Sequence, residues 1–545
     1  MARRSRCRRS GRSRPSRCAT TRTPTRSKSS TRSPSHRLTR ILGGSTSTSP
    51  RSEAMTHSGD WREAYKERLC SVEEAMALIG EGDLVTMGVL TPAQLASALA
   101  DRADQLGSMH VRALSPTEPR LFSPGQNGER EFELFIGEPL RAAHDAKIAT
   151  YLPNTFMLGM KAFDAGREEA RLPDVQITSC SEPNDAGYVQ FGVHMWTRKS
   201  YTKRCPRTIG MIDPNITPAH GDVWVHVSEF AAFIEGVIQP VNAEAVRERV
   251  NTQAPEENRA ELLELLDMAS PDQIALAESM YHMLPPKIVR QAFGLAEVDD
   301  EAQAIADNLA PLIRDGDTIQ VGVGTPSALM FKAGAFDHAK HLGVHTELGS
   351  PGLAQLWARG IIDNSRKTIH KERCVAVAWT GCDGVDLGII NDNPAFEVYD
   401  PNYLLNPALM SQNSQMTSIN SAVAVDLLGQ IASEDRYGGQ MINGTGGQPD
   451  THISAALCPD GRAITVLRST AIEGSLSKIV AKHEAGTLVT IPRYLADTIV
   501  TEYGVARLLD KNHRQRAAEL ISVAHPDFRA DLQKQANELW GELGI

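Results

Sequence analysis

Gly316-Asp317-Thr318-Ile319-Gln320-Val321-Gly322-Val323-Gly324-Thr325-Pro326-Ser327-Ala328-Leu329 decides the fold of this chain, because its pattern occurs twice. It aligns without a gap on Gly82-Asp83-Leu84-Val85-Thr86-Met87-Gly88-Val89-Leu90-Thr91-Pro92-Ala93-Gln94-Leu95, with seven of 14 positions identical. Each copy reads as the end of a helix, a Gly-Asp turn, a strand, a glycine turn and the start of a helix. A repeat of that kind predicts two tandem open α/β domains of common ancestry.

Working outward, helices are expected at 72–79 and from Pro92, with strands at 84–89, 175–179, 208–212 and 223–227. Residues 242–300 are strongly helical. Leu262, Leu263, Leu265 and Leu266 form one apolar face, and Ile274, Ala277, Met280, Tyr281 and Leu284 a second, broken by Pro285-Pro286. Strands follow at 343–346, 375–379, 386–390, 418–424 and 463–467, then helices from about Ala496, including 514–523 and 527–540. The expected organisation is a tail over 1–54, an α/β domain over 55–241, a helical linker over 242–300 and a catalytic α/β domain over 301–545 with terminal helices.

Composition narrows the function. The chain is 545 residues long, 41% apolar and 23% charged, which is ordinary for an enzyme of two or three domains. The net charge of −9 hides an asymmetry: residues 1–54 hold 15 Lys and Arg against one acid, which leaves −23 for the rest. An acidic body argues against nucleic acid as partner. No apolar run reaches the roughly 18 residues of a membrane helix. Eight scattered cysteines without a C-x-x-C pair argue for a reducing compartment and against a disulfide framework. The expected location is therefore cytoplasmic. Residues 1–54 lack the apolar side chains to offset chain entropy, and Met55 is the expected start of translation. If the Arg- and Ser-rich tail is translated, it resembles a mitochondrial transit peptide.

Two stretches carry chemistry. Gly343-Val344-His345-Thr346-Glu347-Leu348-Gly349-Ser350-Pro351-Gly352 reads as a short buried strand ending on a carboxylate at a turn, where open α/β sheets place ligands. Asn443-Gly444-Thr445-Gly446-Gly447-Gln448-Pro449-Asp450 has three glycines in four residues, which lets backbone N–H groups approach an anion. Alone, the first is ordinarily a solvated turn and the second a tight turn. The chain lacks a dinucleotide fingerprint, a G-x-x-x-x-G-K-S/T phosphate loop and a G-x-S-x-G elbow, which removes the common marks of oxidoreductases, nucleotide triphosphatases and serine hydrolases. His220, Asp222 and His226 lack further ligands nearby in sequence, so no metal is expected.

Together these stretches resemble the acetyl-CoA hydrolase / 4-hydroxybutyrate CoA-transferase family of glutamate-dependent CoA-transferases, over about 61–240 and 301–540. In the first half the likeness rests on residues 183–188, 213–222 and 225–228. In the second it rests on His345-Thr346-Glu347, Ser411-Gln412-Asn413, Ser418-Ile419-Asn420-Ser421-Ala422, residues 443–450, 500–506 and 524–529. The resemblance implies Glu347 as nucleophile, Gly447 as oxyanion donor, and Asn420 and Glu502 as groups that orient carboxylates. It implies Gln320, Val321, Gly322, Val323, Gly324, Asn443, Gly446, Gly447 and Arg462 around coenzyme A. Coenzyme A enters as substrate, with acyl-CoA and carboxylate partners, no permanent cofactor and a homo-oligomeric state of dimer or higher.

The chain departs from the family pattern in places. Its glycine turn is one residue shorter before Pro326, Pro351-Gly352 replaces an Asp-Gly pair, Thr451 replaces an aromatic, and 242–300 is long. These departures bear on the acyl group. Sequence leaves open an acyl-CoA hydrolase that uses the same glutamate. A non-catalytic CoA-binding scaffold is disfavoured by the retained Glu347.

Overall fold

The computed structural model describes residues 60–542 except 90, 115–117, 137–140, 271–272, 275–280 and 437. The basic tail over 1–54, and Ala277 and Met280 of the second apolar face, lie outside the described residues.

Two large sheets carry the chain, both built from short strands, the inner ones buried along nearly their whole length. The first is parallel throughout, in the order Ala232–Ile234, Arg207–Ile212, Val175–Cys180, Leu84–Met87, His110–Ala113, Arg130–Glu133, Thr150–Leu152. The second runs Gly504–Arg507, Thr498–Thr501, Arg462–Val466, Met416–Ser421, Thr318–Val321, Gly343–Leu348, Cys374–Ala378, Phe396–Val398, His220–Gly221. It is parallel apart from the pairing of its first two strands. Strands buried on both faces also carry buried polar residues, such as Gln176, Thr178, Gln320 and Ser418, that hydrogen-bond inside the layers.

The repeat is structural. Gly82 and Gly316 take φ of +75° and +84°, a left-handed conformation that glycine adopts without penalty. The following aspartates close the turn in the same way. Asp83 accepts from the Gly80 amide at 2.7 Å, and Asp317 from the Arg314 amide at 2.8 Å. Each also pairs with the first residue of the strand two places along the sheet, Arg207 for Asp83 and Arg462 for Asp317.

The halves are sewn together rather than merely adjacent. His220–Gly221 comes from the first half and pairs in parallel with Glu397 and Val398, forming one edge of the second sheet. Nearby, the Trp379 amide donates to Val193 O at 2.8 Å, and the Met195 amide to Val377 O at 3.2 Å. The expected 55–241 block therefore contributes a strand to its neighbour.

The helical segment contains Ala243–Gln253, Glu256–Met268 and Pro286–Ala292 around its own core of Val246, Val250, Leu262, Leu265, Leu266 and Phe293. Pro286 opens a helix here, as proline does in a first turn.

Two sequence expectations are corrected. Residues 386–390 belong to the helix Gly384–Ile390, because Asp383 caps it by accepting from the Val385 and Asp386 amides at 3.1 and 3.0 Å. The segment after Ala496 starts with the antiparallel pair Thr498–Thr501 and Gly504–Arg507, and helices begin at His513. Its β-branched Thr-Ile-Val-Thr run suits a strand better than a helix. The strand expected at 223–227 is present as Trp224–His226, paired with Tyr188–Gln190 in a separate ribbon. The strands at 110, 130, 150 and 232 were unmarked in sequence, each being only three or four residues long.

Candidate active site

Glu347 is the fifth residue of Gly343–Leu348 and sits at the carboxyl edge of the second sheet, 7% exposed. Two residues earlier on the same face, the buried His345 ring anchors the strand. Its Nε2 lies 2.7 Å from Leu404 O, and its Nδ1 3.0 Å from Asn413 Nδ2. Burial holds that ring neutral, with its pKa down at about 3.

The Glu347 carboxylate meets the glycine-rich loop. Gly447 caps the N-terminus of the helix Gln448–Leu457, and its amide donates to the carboxylate. A Cβ at 447 would overlap the Glu347 carboxylate, so only glycine permits this approach. The positive end of the helix favours an anion there. Oε1 of Glu347 is buried without a hydrogen-bond partner among the described residues. Burial, reinforced by the charge of Asp450 and opposed by the Gly447 amide, pushes the Glu347 pKa up to about 8.

The first half clamps the loop from the other side. The Gly446 amide donates to Leu134 O at 3.1 Å, and the Thr445 amide to Tyr151 Oη at 2.8 Å. Asp450 accepts from the Met157 amide at 3.1 Å. Any side chain at 444 would strike Leu134 O and the Tyr151 hydroxyl.

Asn420 is fixed by a buried amide network. Its Nδ2 donates to Ser418 Oγ at 2.9 Å, Thr451 Oγ1 at 3.1 Å and Gln320 Oε1 at 3.2 Å, while Gln320 Nε2 donates back to its Oδ1 at 3.1 Å. The turn 322–325 is braced by Ser327, whose Oγ donates to Gly322 O at 2.7 Å. These parts surround a cavity of about 640 Å³, within the roughly 300–1,000 Å³ range of ligand pockets. Phe135 of the first half and Lys478, which follows the hairpin of Thr470–Ala471 and Leu476–Ser477, complete its wall. Burial lowers the Lys478 pKa to about 8.

The structure thus brings Glu347, Gly447, Asn420, Gly322, Val323, Gly324, Asn443 and Gly446 to one cavity. Four expected residues stand apart from its wall. Gln320 and Val321 are buried under the turn, 1% and 2% exposed, and Gln320 acts through Asn420. Arg462 lies at the opposite, amino edge of the sheet. There it pairs with Asp317 and donates to Thr417 Oγ1 at 3.0 Å, as its place at the start of a strand requires. Glu502 accepts from the Ser469 amide and hydroxyl, holding the base of the hairpin. Phe135 and Lys478 carried no sequence motif. Of the residues considered for a metal, His226 contacts Ser228 at 2.9 Å and His220 approaches Asp392 at 3.4 Å.

Two parallel-sheet domains that share a cavity at the carboxyl edge of the second sheet define the CoA-transferase type of α/β fold. The chain belongs to the acetyl-CoA hydrolase/transferase family: residues 50–254 match its N-terminal domain and 387–536 its C-terminal domain. It is 32% identical over 482 residues to the 4-hydroxybutyrate coenzyme A transferase of Clostridium kluyveri, covering 87% of this chain and 99% of the relative. It is 25% identical over 256 residues to an acetyl-CoA hydrolase of Candida glabrata, covering 43% and 45%. The crystal structure of RipA from Yersinia pestis superposes with a TM-score of 0.70 at 26% identity, covering 88% of this chain and 99% of that one. Among the described residues, no helix is long and apolar enough to cross a membrane.

Proposed function

We propose that the protein is a CoA-transferase that moves CoA between a short-chain acyl-CoA and a carboxylic acid such as acetate, through a glutamyl-CoA thioester on Glu347. The observation that carries this reading is the buried Glu347 carboxylate set against the Gly447 amide in a ligand-sized cavity.

A Glu347 oxygen attacks the thioester carbonyl carbon, and the C–S bond breaks to give an acyl-glutamyl anhydride and CoA thiolate. The thiolate attacks the glutamyl carbonyl, releasing the first carboxylate and leaving glutamyl-CoA. The acceptor carboxylate then attacks that thioester, again freeing the thiolate. The thiolate closes the cycle on the acceptor carbonyl and returns Glu347. Each step passes through an oxyanion that the Gly447 amide can stabilise, a contribution of about 3 kcal/mol for one such donor. Asn420, held by Gln320, Ser418 and Thr451, presents a fixed amide to the same cavity.

The alternative is an acyl-CoA hydrolase in which water resolves the intermediate. Glu347 lines the cavity that would admit either an acceptor acid or water, so the two readings share the same residues and the covalent intermediate's lifetime separates them. A homo-oligomeric, cytoplasmic enzyme is part of the same proposal, checked by light scattering and by fractionation of the source cells.

The test is intact-mass measurement after mixing the protein with a panel of short acyl-CoAs and no acceptor acid. The expected result is a CoA adduct that peptide mapping places on Glu347. Steady CoA release without an adduct assigns the hydrolase. An adduct that survives Glu347→Gln overturns the nucleophile.

A further inference from the structure

The His345 ring is used at both ends. Nε2 donates to Leu404 O and Nδ1 accepts from the Asn413 side-chain amide, which fixes the neutral tautomer with its proton on Nε2. Lys367 and His370 face the ring and oppose a second proton. Among aromatic side chains, neutral imidazole alone donates from one ring atom and accepts at another.

Both partners lead to the helix Gln448–Leu457, whose N-cap is Gly447. Leu404 ends the short helix Pro401–Leu404, and Leu405 after it lies beside Gly447: a Cβ at 447 would meet Leu405 Cδ1 at 3.4 Å. Asn413 reaches the other end of the same long helix. Its carbonyl accepts from the Cys458 thiol at 3.3 Å, and Cys458 is the C-cap. Leu404, Leu405, Met410 and Cys458 belong to one buried cluster, so the span is close-packed. On the strand side, His345 and Glu347 share a face of Gly343–Leu348, two residues apart. One ring, 0% exposed, therefore joins the strand that carries the carboxylate to both ends of the helix that carries its amide donor, through Leu405 and through Asn413.

We propose that His345 is a positioning residue for CoA transfer: by bracing the Glu347 strand against the helix Gln448–Leu457, it sets the separation between the Glu347 carboxylate and the Gly447 amide. That role rests on the reading of Glu347 as nucleophile and Gly447 as its donor. His345 is buried beneath the cavity wall rather than part of it, so it acts through the two elements and touches no substrate. The geometry it guards is a sensitive one, since a misplacement of about 1 Å costs on the order of 10²-fold in rate.

The test compares His345→Phe, which keeps an aromatic ring and loses both hydrogen bonds, with His345→Gln, which keeps a donor for Leu404 O. In His345→Phe, kcat for CoA transfer is expected to fall about 10- to 100-fold with KM for acyl-CoA changed less than about twofold, and His345→Gln to recover part of the loss. The pH midpoint of adduct formation should rise in His345→Phe, because the Gly447 amide favours the Glu347 anion. In a Gly447→Ala background, His345→Phe should cost less than about twofold more, since the contact it positions is already disrupted. An unmoved midpoint, the full cost retained in the Gly447→Ala background, or an unchanged kcat in folded His345→Phe reduces His345 to core packing and overturns the proposal. Asn413→Ala breaks the other end of the span and is read by the same measurements, so a folding failure of His345→Phe leaves the question decidable. A wild type that forms no adduct with any acyl-CoA overturns the Glu347 reading and this role with it; a wild-type adduct with an unmoved midpoint overturns this role alone.

Discussion

The two halves of the chain share a frame and differ at one edge. At the amino edge they are nearly interchangeable: Gly82 and Gly316 turn the chain, Asp83 and Asp317 close the turn, and Arg207 and Arg462 pair with those aspartates. At the carboxyl edge they part. Leu84 pairs with His110 and Thr318 with Gly343, so the position of Glu347 in the second half is that of Leu114 in the first. Leu114 is 3% exposed and packs in the cluster that also holds Leu134, Phe156 and Trp196. Near the first glycine turn, the buried Arg198 side chain packs against Gly88 and donates to Val89 O at 3.0 Å. One copy is filled with side chains and the other holds a cavity. A repeated fold thus keeps what stabilises it at one end of the sheet and is free to vary the other.

That comparison can be broken in several places. Glu347→Gln should cost the largest amount, about 10⁴-fold or more in kcat for CoA transfer, with the protein still folded by circular dichroism. Gly447→Ala should follow, at roughly 10²- to 10³-fold in kcat, because the new methyl group displaces the carboxylate from its donor. Leu114→Ala, at the matching place in the filled half, should instead appear in denaturant unfolding, as a loss of about 3 kcal/mol. Equal effects of the Glu347 and Leu114 substitutions on catalysis would end the distinction between the halves.

The pH dependence sharpens it further. The Glu347 pKa is raised to about 8, and on the proposed mechanism only the ionised form attacks. Adduct formation, followed by rapid quench and mass, should therefore rise about tenfold per unit as pH increases to about 8 and then level off. A raised carboxyl also makes its contribution to stability fullest at low pH and loses it as pH climbs through about 8. The smallest effects belong to the shared frame. Arg462→Gln should cost roughly 1–3 kcal/mol of stability by weakening the pairing of buried Asp317, and Arg207→Gln about 1 kcal/mol, with kcat changed less than about twofold in either. A large kcat loss in Arg462→Gln would return that residue to the coenzyme A site.

Much of this was readable in the sequence because it is local. The Gly-Asp turn, the strand ending on Glu347 and the run from Asn443 to Asp450 each state their geometry in consecutive residues. What sequence missed depends on distant partners. Arg462 looks like a ligand cation until the sheet places it two strands from Asp317, at the wrong edge. Glu502 is held by Ser469, 33 residues away, a contact that no consecutive stretch announces. Phe135 and Lys478 reach the cavity from segments whose own patterns say nothing of it. Leu387, Ile389 and Ile390 suit a strand over 386–390 by sequence, and the capping role of Asp383 outweighs them.

The strand His220–Gly221 bears on how the gene can be divided. Without it, Phe396–Val398 would present an open row of backbone donors and acceptors, a template for pairing with any other chain. The second half expressed alone would then be sticky as well as unfinished, whereas a backbone nick within the helical segment would leave both fragments joined by that pairing. Two polypeptides made separately but at the same time could still assemble into a working unit; either made alone would not.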